Sequence, residues 1–133
     1  MSEVEKAESP EHKRLVKSLI EHMKQEGYEI TCATHEGYTQ CPETEGRIPD
    51  VKGTSKEELN AIGEAKSPND LDSDRTKGQF KVFSNREMKK GKSQGKDVPF
   101  YIGIPKGSEK QLEDCLKELG LDKKPNIHRV SLD

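Results

Sequence analysis

Asp50, Glu64 and Lys66 are the residues of this chain whose types and spacing could do chemistry. Thirteen residues separate the two acids, which is enough for a strand to turn back and bring the carboxylates together. Two adjacent carboxylates repel each other, and a divalent cation relieves that repulsion. Mg²⁺ keeps several waters and can acidify one for attack on phosphorus. Lys66 would share a strand face with Glu64, where its ammonium could orient the hydroxide or stabilise charge on phosphate oxygens.

Two extended segments carry these three residues. The segment RIPDVKGT at 47–54 predicts a strand, and Pro49 indicates the beginning or the edge of that strand because it lacks a backbone donor. The segment AIGEAK at 61–66 predicts a short strand with two different faces. One face carries Ile62, Glu64 and Lys66, and the other carries Ala61, Gly63 and Ala65. The small residues of the second face would let a helix approach closely.

The remaining segments complete an α/β pattern. Ser9-Pro10 predicts a capped start for a helix of residues 10–26, which Gly27 would end. The other predicted elements are a strand at 28–34, a polar loop at 35–46, a helix from Ser73 or Asp74 to Gly91, a buried central strand at 98–104, an amphipathic helix at 108–120 and an edge strand at 126–132. This order predicts a central mixed β-sheet flanked by helices. Residues 1–9 would form a flexible tail, and residues 10–133 a single domain.

The amino-acid composition limits the size of the hydrophobic core, and the net charge indicates no particular class of ligand. Only 29% of the 133 residues are hydrophobic and 36% are charged, so the core must be small, and a partner subunit could cover part of it. The net charge of -2 does not indicate a nucleic-acid ligand. Residues 75–96, however, contain eight Lys or Arg and one acid. That strip predicts either a surface that grips phosphates or an ordinary solvated helix and loop.

The cysteines and the hydropathy pattern bear on the cellular compartment. Cys32, Cys41 and Cys115 lie far apart and show no metal-ligand spacing, which predicts reduced thiols. No apolar run approaches the about 18 residues of a membrane span, and the N-terminal segment lacks the apolar stretch of a signal peptide. These features predict a cytoplasmic protein without a membrane partner.

The motif residues resemble a known family. Ile48-Pro49-Asp50 followed by Gly63-Glu64-Ala65-Lys66 is similar to the signature of the PD-(D/E)XK nuclease superfamily. The resemblance covers roughly residues 10–120, since the core of that family has a helix, a strand meander, a helix and another strand in this order. It implies a restriction-endonuclease-like core, αβββαβα. The length and the HKRLV segment at 12–16 look most like archaeal Holliday-junction resolvases, homodimers that cleave branched DNA with Mg²⁺ or Mn²⁺.

The resemblance also implies roles for single residues. Asp50 and Glu64 would bind Mg²⁺, with Mn²⁺ as a substitute, and Lys66 would serve the nucleophilic water. Family members often place a glutamate three residues before a Leu-Val pair of the first helix, and this chain has His12 there. His12 is a candidate catalytic residue, with an ordinary helix-face residue as the alternative. A glutamine of the second helix commonly steadies the phosphate or the lysine, and the match is Gln79, with a plain surface residue as the alternative.

Basic residues around the motif are candidates for DNA contacts. The candidate nucleic-acid-binding residues are Arg47, Arg75, Lys77, Lys81, Arg86, Lys89 and Lys90. Arg47 could bind a phosphate through a bidentate fork, although a solvated loop is the alternative for it and for Tyr38 and Thr39. The remaining histidines, His22, His35 and His128, are predicted to be surface residues.

Together these features predict a metal-dependent endodeoxyribonuclease, and the resemblance implies that it leaves a 5′-phosphate and acts as a homodimer. A structure-selective enzyme similar to the junction resolvases and a restriction or repair nuclease both remain open. No evident target-recognition domain is present, which argues against reading a long sequence. The alternative function is a catalytically inactive nucleic-acid-binding or interaction module that retains the fold. A small-molecule enzyme is disfavoured because the chain has no glycine-rich phosphate cradle or nucleophile elbow.

Overall fold

The computed structural model describes residues 9–88 and 95–132, which form one sheet with helices on both faces. The elements in chain order are α1 (Pro10–Gln25), β1 (Glu29–Ala33), β2 (Val51–Thr54), β3 (Asn60–Ala65), a short 3-10 helix (Pro68–Asp70), α2 (Asp74–Ser84), β4 (Phe100–Pro105), α3 (Glu109–Leu119) and β5 (Ile127–Leu132). The predicted tail, apart from Ser9, lies outside the described residues.

The five strands lie in the order β1-β2-β3-β4-β5. The first three form an antiparallel meander, and β4 and β5 continue the sheet in parallel. The parallel connections run through α2 and α3, as parallel pairing requires a crossover. The predicted α/β class with a mixed sheet flanked by helices is therefore confirmed, as is the edge strand β5.

Helix α1 begins and packs as its sequence predicts. The Ser9 hydroxyl accepts a hydrogen bond from the His12 backbone amide (3.1 Å), and Pro10 occupies the first helical position. The apolar positions of α1 recur at helical spacing and all face the sheet; they are Leu15, Val16, Leu19, Ile20 and Met23. Gly27 follows with a φ of 99°, a conformation that glycine adopts without steric cost.

Small residues of the sheet let α1 approach closely, which confirms the prediction for the second face of β3. A Cβ atom on Gly63 would lie 2.9 Å from the sulfur of Met23 and 3.1 Å from a methyl carbon of Leu19. Gly103 of β4 plays the same part, since its Cβ would lie 3.3 Å from Leu19. Ala61 and Ala65 belong to the same apolar cluster. The α1 face of β3 therefore serves close packing.

The opposite face of the sheet is covered by α2 and α3. Phe80 and Phe83 of α2 meet Phe100 of β4 edge to face, with ring centroids 5.8 and 5.7 Å apart. Helix α3 contributes Leu112, Cys115 and Leu116 to this cluster, and Leu119 packs against it while remaining partly exposed.

The predicted length of the second helix is wrong. The prediction takes this helix to Gly91, but α2 ends at Ser84. The side-chain amide of Asn85 donates to a carbonyl in the last turn of α2 (2.7 Å), which closes the helix. The chain then pairs with a later segment, because the Val98 amide donates to the carbonyl of Arg86 (2.8 Å). The basic strip at 75–96 therefore does not form one face of a single helix.

The prediction of three reduced thiols is also wrong, because Cys32 and Cys41 form a disulfide. The chain folds back directly after β1, and the Ala33 amide donates to the carbonyl of Thr39 (2.9 Å). This return brings the two Cα atoms to 5.0 Å, within the range of a disulfide. Only Cys115 is a free thiol, and burial raises its pKa. Since disulfides are rare in reducing compartments, the thiols no longer support a cytoplasmic location.

Candidate functional site

The three motif residues converge at one end of the β2–β3 pair. Asp50 directly precedes β2, Glu64 lies in β3, and Lys66 directly follows it. The register pairs Val51 with Gly63, so the next opposed positions are those of Asp50 and Glu64. The alternation of β3 turns Glu64 and Lys66 away from α1, as predicted.

Hydrogen bonds between side chains and backbone fix the two carboxylates. The Asp50 amide donates to Oε1 of Glu64 (2.9 Å), and the Ala65 amide donates to Oδ2 of Asp50 (2.9 Å). Each carboxylate therefore caps the backbone of the neighbouring strand at the point where β2–β3 pairing ends. Both side chains are held without freedom to rotate into solvent, and both residues are fully buried.

Lys66 bridges the carboxylates to α2. Its Nζ lies 3.7 Å from Oε2 of Glu64 and donates to Oε1 of Gln79 at 2.5 Å. Gln79 has no exposed surface, so it is no surface residue of the helix, the alternative that the sequence left open. The amide holds the ammonium in place without adding charge, which suits a positioning role.

His12 completes what we call the buried polar cluster: His12, Asp50, Glu64, Lys66 and Gln79. Its Nε2 lies 3.2 Å from Oδ2 of Asp50, and its side chain is only 12% exposed. The first turn of α1, fixed by the Ser9 cap, brings the ring to the sheet end. His12 is therefore in contact with a motif carboxylate rather than on an open helix face.

Buried charge makes this cluster costly as a purely structural device. It places two carboxylates and one ammonium in a region with almost no water contact: Asp50 and Glu64 are 0% exposed and Lys66 is 6% exposed. Buried ionised groups are expensive unless opposite charge and hydrogen bonds compensate them. The Lys66 ammonium offsets part of this negative charge, and a cation bound at the two carboxylates would offset more.

The donor set fits a cation that needs few protein ligands. Within residues 9–88 and 95–132, no group of three or more His, Cys, Asp or Glu side chains is arranged to hold a metal ion. These described residues therefore do not surround a metal ion with protein ligands alone. Mg²⁺ commonly binds through one or two carboxylates and keeps several waters, and Asp50 and Glu64 supply two such carboxylates.

No protein-family model, curated protein or solved structure matches this chain. The geometry of the site is therefore what indicates its chemistry. In the part of the chain that the structure describes, no helix is both long and apolar enough to cross a membrane.

Arg47 packs against α2 at Gly78, the residue before Gln79. A Cβ atom on Gly78 would lie too close to the Arg47 guanidinium, so the missing side chain leaves room for this group. Glycine costs a helix roughly 1 kcal/mol relative to alanine. Arg47 is half-buried, and its guanidinium could hold a phosphate.

The other predicted DNA contacts have different surroundings. Lys77 pairs with Glu118 of α3 (3.1 Å), and Arg86 pairs with Glu45 (3.0 Å). The remaining candidates on α2, Arg75 and Lys81, are exposed, whereas Lys89 and Lys90 lie outside the described residues. Tyr38, His22 and His35 are half-buried, and Thr39 and His128 are exposed.

The disulfide loop contacts the backbone of Asp50, which sequence reasoning missed. The amide of Thr34, two residues after Cys32, donates to the Asp50 carbonyl at 2.8 Å. Cys41 closes the same loop from its other end. The only signal in the sequence was the spacing of the two cysteines across a turn-rich segment, which suits a hairpin as well as it suits two unrelated thiols.

Proposed function

We propose that this chain is a metal-dependent endodeoxyribonuclease with a restriction-endonuclease-like core of the PD-(D/E)XK type. The observation that carries the proposal is the convergence of Asp50, Glu64 and Lys66 in one buried, hydrogen-bonded cluster at a sheet end. The order of the elements supports it as well: a helix, an antiparallel meander, a helix and a parallel strand match what the resemblance implies.

Asp50 and Glu64 would hold the divalent cation, Mg²⁺ or Mn²⁺. When bound, such an ion supplies Lewis-acid stabilisation of a phosphoryl oxygen and acidifies a water. The charges are suited to a phosphodiester. Two carboxylates and a divalent ion would be neutral together, so the charge of Lys66 remains to meet the single negative charge of the substrate.

Lys66 is the residue that we assign to the attacking water and the phosphate oxygens. Its ammonium can donate to both, and the Gln79 carbonyl oxygen fixes one of its three protons. The ammonium is thereby aimed before substrate arrives, and preorganised donors stabilise developing charge most effectively in a site that excludes water.

The imidazole of His12 lies against a carboxylate that would bind the cation. Asp50 and Glu64 have no exposed surface, whereas the side chains of His12 and Lys66 keep 12% and 8%. A cation that binds Oδ2 of Asp50 would compete with the imidazole, which lies 3.2 Å from this oxygen. We assign His12 a positioning role that holds Asp50 until the ion arrives.

We propose DNA as the substrate and a homodimer as the working unit. Arg47, Arg75 and Lys81 offer cations for phosphates around the cluster. The described elements all belong to the sheet and its covering helices, so no added element is placed to read a long sequence in a groove. Selection by DNA structure, as in junction resolvases, agrees better with this arrangement than restriction of a long target.

The test is a cleavage assay with matched variants. Supercoiled plasmid, a four-way junction and single-stranded DNA are incubated with the protein in Mg²⁺, Mn²⁺ or EDTA. We expect metal-dependent cutting that falls roughly 10²–10⁴-fold in Lys66→Ala and in the near-isosteric Glu64→Gln. Lys56→Ala and Glu57→Gln are the controls, because these exposed residues lie in the neighbouring β2–β3 turn.

The assay has three informative outcomes. Loss of cutting in the two cluster variants, with circular dichroism unchanged and both controls active, supports the nuclease. Metal-independent cutting, or cutting that survives Glu64→Gln, overturns the assignment. Absence of cutting on all three substrates moves the function to the alternative.

That alternative is a nucleic-acid-binding or interaction module that kept the fold without the reaction. What favours it is that both carboxylates already hold backbone amides and that the described residues offer no three-donor metal group. Under this alternative the cluster is an internal ion-pair network, and Mg²⁺ leaves the stability of the protein unchanged.

A further inference from the structure

A cleft lies on the same face of the sheet as Glu64. It has a volume of about 460 Å³ and is lined by the middle of β2 and the first half of β3. Lys52 and Ile62 are opposed in the register and lie two residues from Asp50 and Glu64 respectively. We call this space the β2–β3 cleft. At the rise of a strand, the Cα atoms of Lys52 and Asp50 are about 7 Å apart, roughly two nucleotides of rise along a B-form strand.

Two cations line the β2–β3 cleft. Lys52 is half-buried, and among the described residues no hydrogen bond or ion pair holds its ammonium. Arg86 lines the same cleft and is partly offset by Glu45. Both cations face the cleft, and an anion bound there would relieve the repulsion between their like charges.

The rest of the lining suits a base rather than a second phosphate. Ile62, Met88 and Val98 are buried apolar residues that form the floor. Glu58 and Glu87 are exposed acids at the rim, together with the amide of Asn60. Carboxylates and amides accept or exchange hydrogen bonds with base edges, whereas they repel a further row of phosphates.

We propose that the β2–β3 cleft binds one unpaired nucleotide of the substrate strand, with its phosphate on Lys52 and its base on the apolar floor. The inference rests on the proposed function and names its substrate class: DNA with a single-stranded segment next to the cut. A continuous duplex keeps its bases paired and brings a second row of phosphates toward Glu58 and Glu87. The volume of the cleft lies within the usual range of small-ligand sites.

The test measures binding in EDTA, so that it does not depend on cleavage. Fluorescence anisotropy compares a labelled single-stranded oligothymidylate, an abasic strand of equal length and a duplex. We expect the oligothymidylate to bind more tightly than both. Lys52→Gln should weaken its binding about tenfold and reduce the salt slope by about 0.7, the loss of one phosphate contact. Lys52→Arg should retain binding, and the exposed Lys56→Gln is the matched control.

Each possible result tests one part of the proposal: the base site, the phosphate contact or the substrate class. Equal binding of the abasic strand overturns the base site, and unchanged binding in Lys52→Gln overturns the phosphate contact. Tighter binding of the duplex overturns the substrate class. If Lys52→Gln loses binding but the wild type cuts nothing, the cleft stands and the nuclease proposal fails. If the wild type cuts and Lys52→Gln binds normally, the reverse holds.

Discussion

The two faces of β3 use the same six-residue strand in opposite ways. Toward α1 it presents Ala61, Gly63 and Ala65, whose small size lets the helix come within van der Waals contact. Toward α2 it presents Glu64, with Lys66 directly after the strand, and these charges are buried among polar partners. Successive residues of a strand face opposite sides of the sheet. Small residues that pack against α1 therefore alternate along β3 with residues that face α2, among them the charged Glu64. Substitutions on one face should therefore change stability and on the other activity.

The largest effect should come from the packing face. Leu19→Ala removes a fully buried side chain that lies against both Gly63 and Gly103. Chemical denaturation should report a loss of about 2–5 kcal/mol, the range for such a cavity. Cleavage per folded molecule should stay at the wild-type level. A fall in that specific activity would contradict the separation of the two faces.

The disulfide should affect both properties, because its loop carries the bond from Thr34 to Asp50. Replacing Cys32 and Cys41 together by serine removes the cross-link between two residues that lie nine positions apart in the sequence. The loss of this constraint should lower the free energy of unfolding by roughly 2–3 kcal/mol. Cleavage by the folded variant should also fall, and treatment of the wild type with a dithiol reductant should reproduce both changes. A change in stability alone would show that the loop does not position Asp50.

Gln79→Leu tests the chemical face without removing a charge. The variant keeps the side-chain volume but loses the acceptor that holds the Lys66 ammonium. We expect kcat to fall about tenfold with little change in KM, and the unfolding free energy to fall by about 1–3 kcal/mol for the lost hydrogen bond. Gln25→Leu, at an exposed position of α1, is the control. An unchanged kcat would reduce Gln79 to a structural residue.

The smallest effect should come from the ion pair between α2 and α3. Lys77 pairs with Glu118, and hydrogen bonding to this carboxylate raises the pKa of Lys77. Exposed pairs contribute little to stability, so Lys77→Met should shift thermal unfolding very little. If Lys77 binds a DNA phosphate, the same variant will lower DNA affinity and reduce its salt dependence, which an anisotropy titration at two salt concentrations measures.

Local patterns predicted what depends on neighbours in sequence. The alternation of 61–66 placed Glu64 and Lys66 correctly, and Ser9 and Ser73 cap their helices as expected. The contact between His12 and Asp50 spans 38 positions and depends on how α1 crosses the sheet, which no local pattern contains. The close approach of Arg47 to Gly78 is likewise a tertiary contact that no local pattern contains.

The disulfide and the end of α2 were missed for a related reason. Whether Cys41 meets Cys32 depends on the path of a loop whose turn residues allow several conformations. The basic run after Ser84 has the composition of a helix, yet pairing of Arg86 with Val98 diverts the chain. After Ser84, long-range backbone pairing overrides helix propensity.

The central claim is that Asp50 and Glu64 form a cation site rather than an internal ion-pair network. Thermal unfolding of the wild type and of Glu64→Gln, each with Mg²⁺, Mn²⁺ or EDTA, tests it most directly. A bound ion stabilises the folded state by mass action, by about 2.7 kcal/mol at one hundred times its Kd. We predict a higher unfolding temperature for the wild type with either ion and no shift for Glu64→Gln. An unchanged wild type, or an equal shift in the variant, would contradict the account.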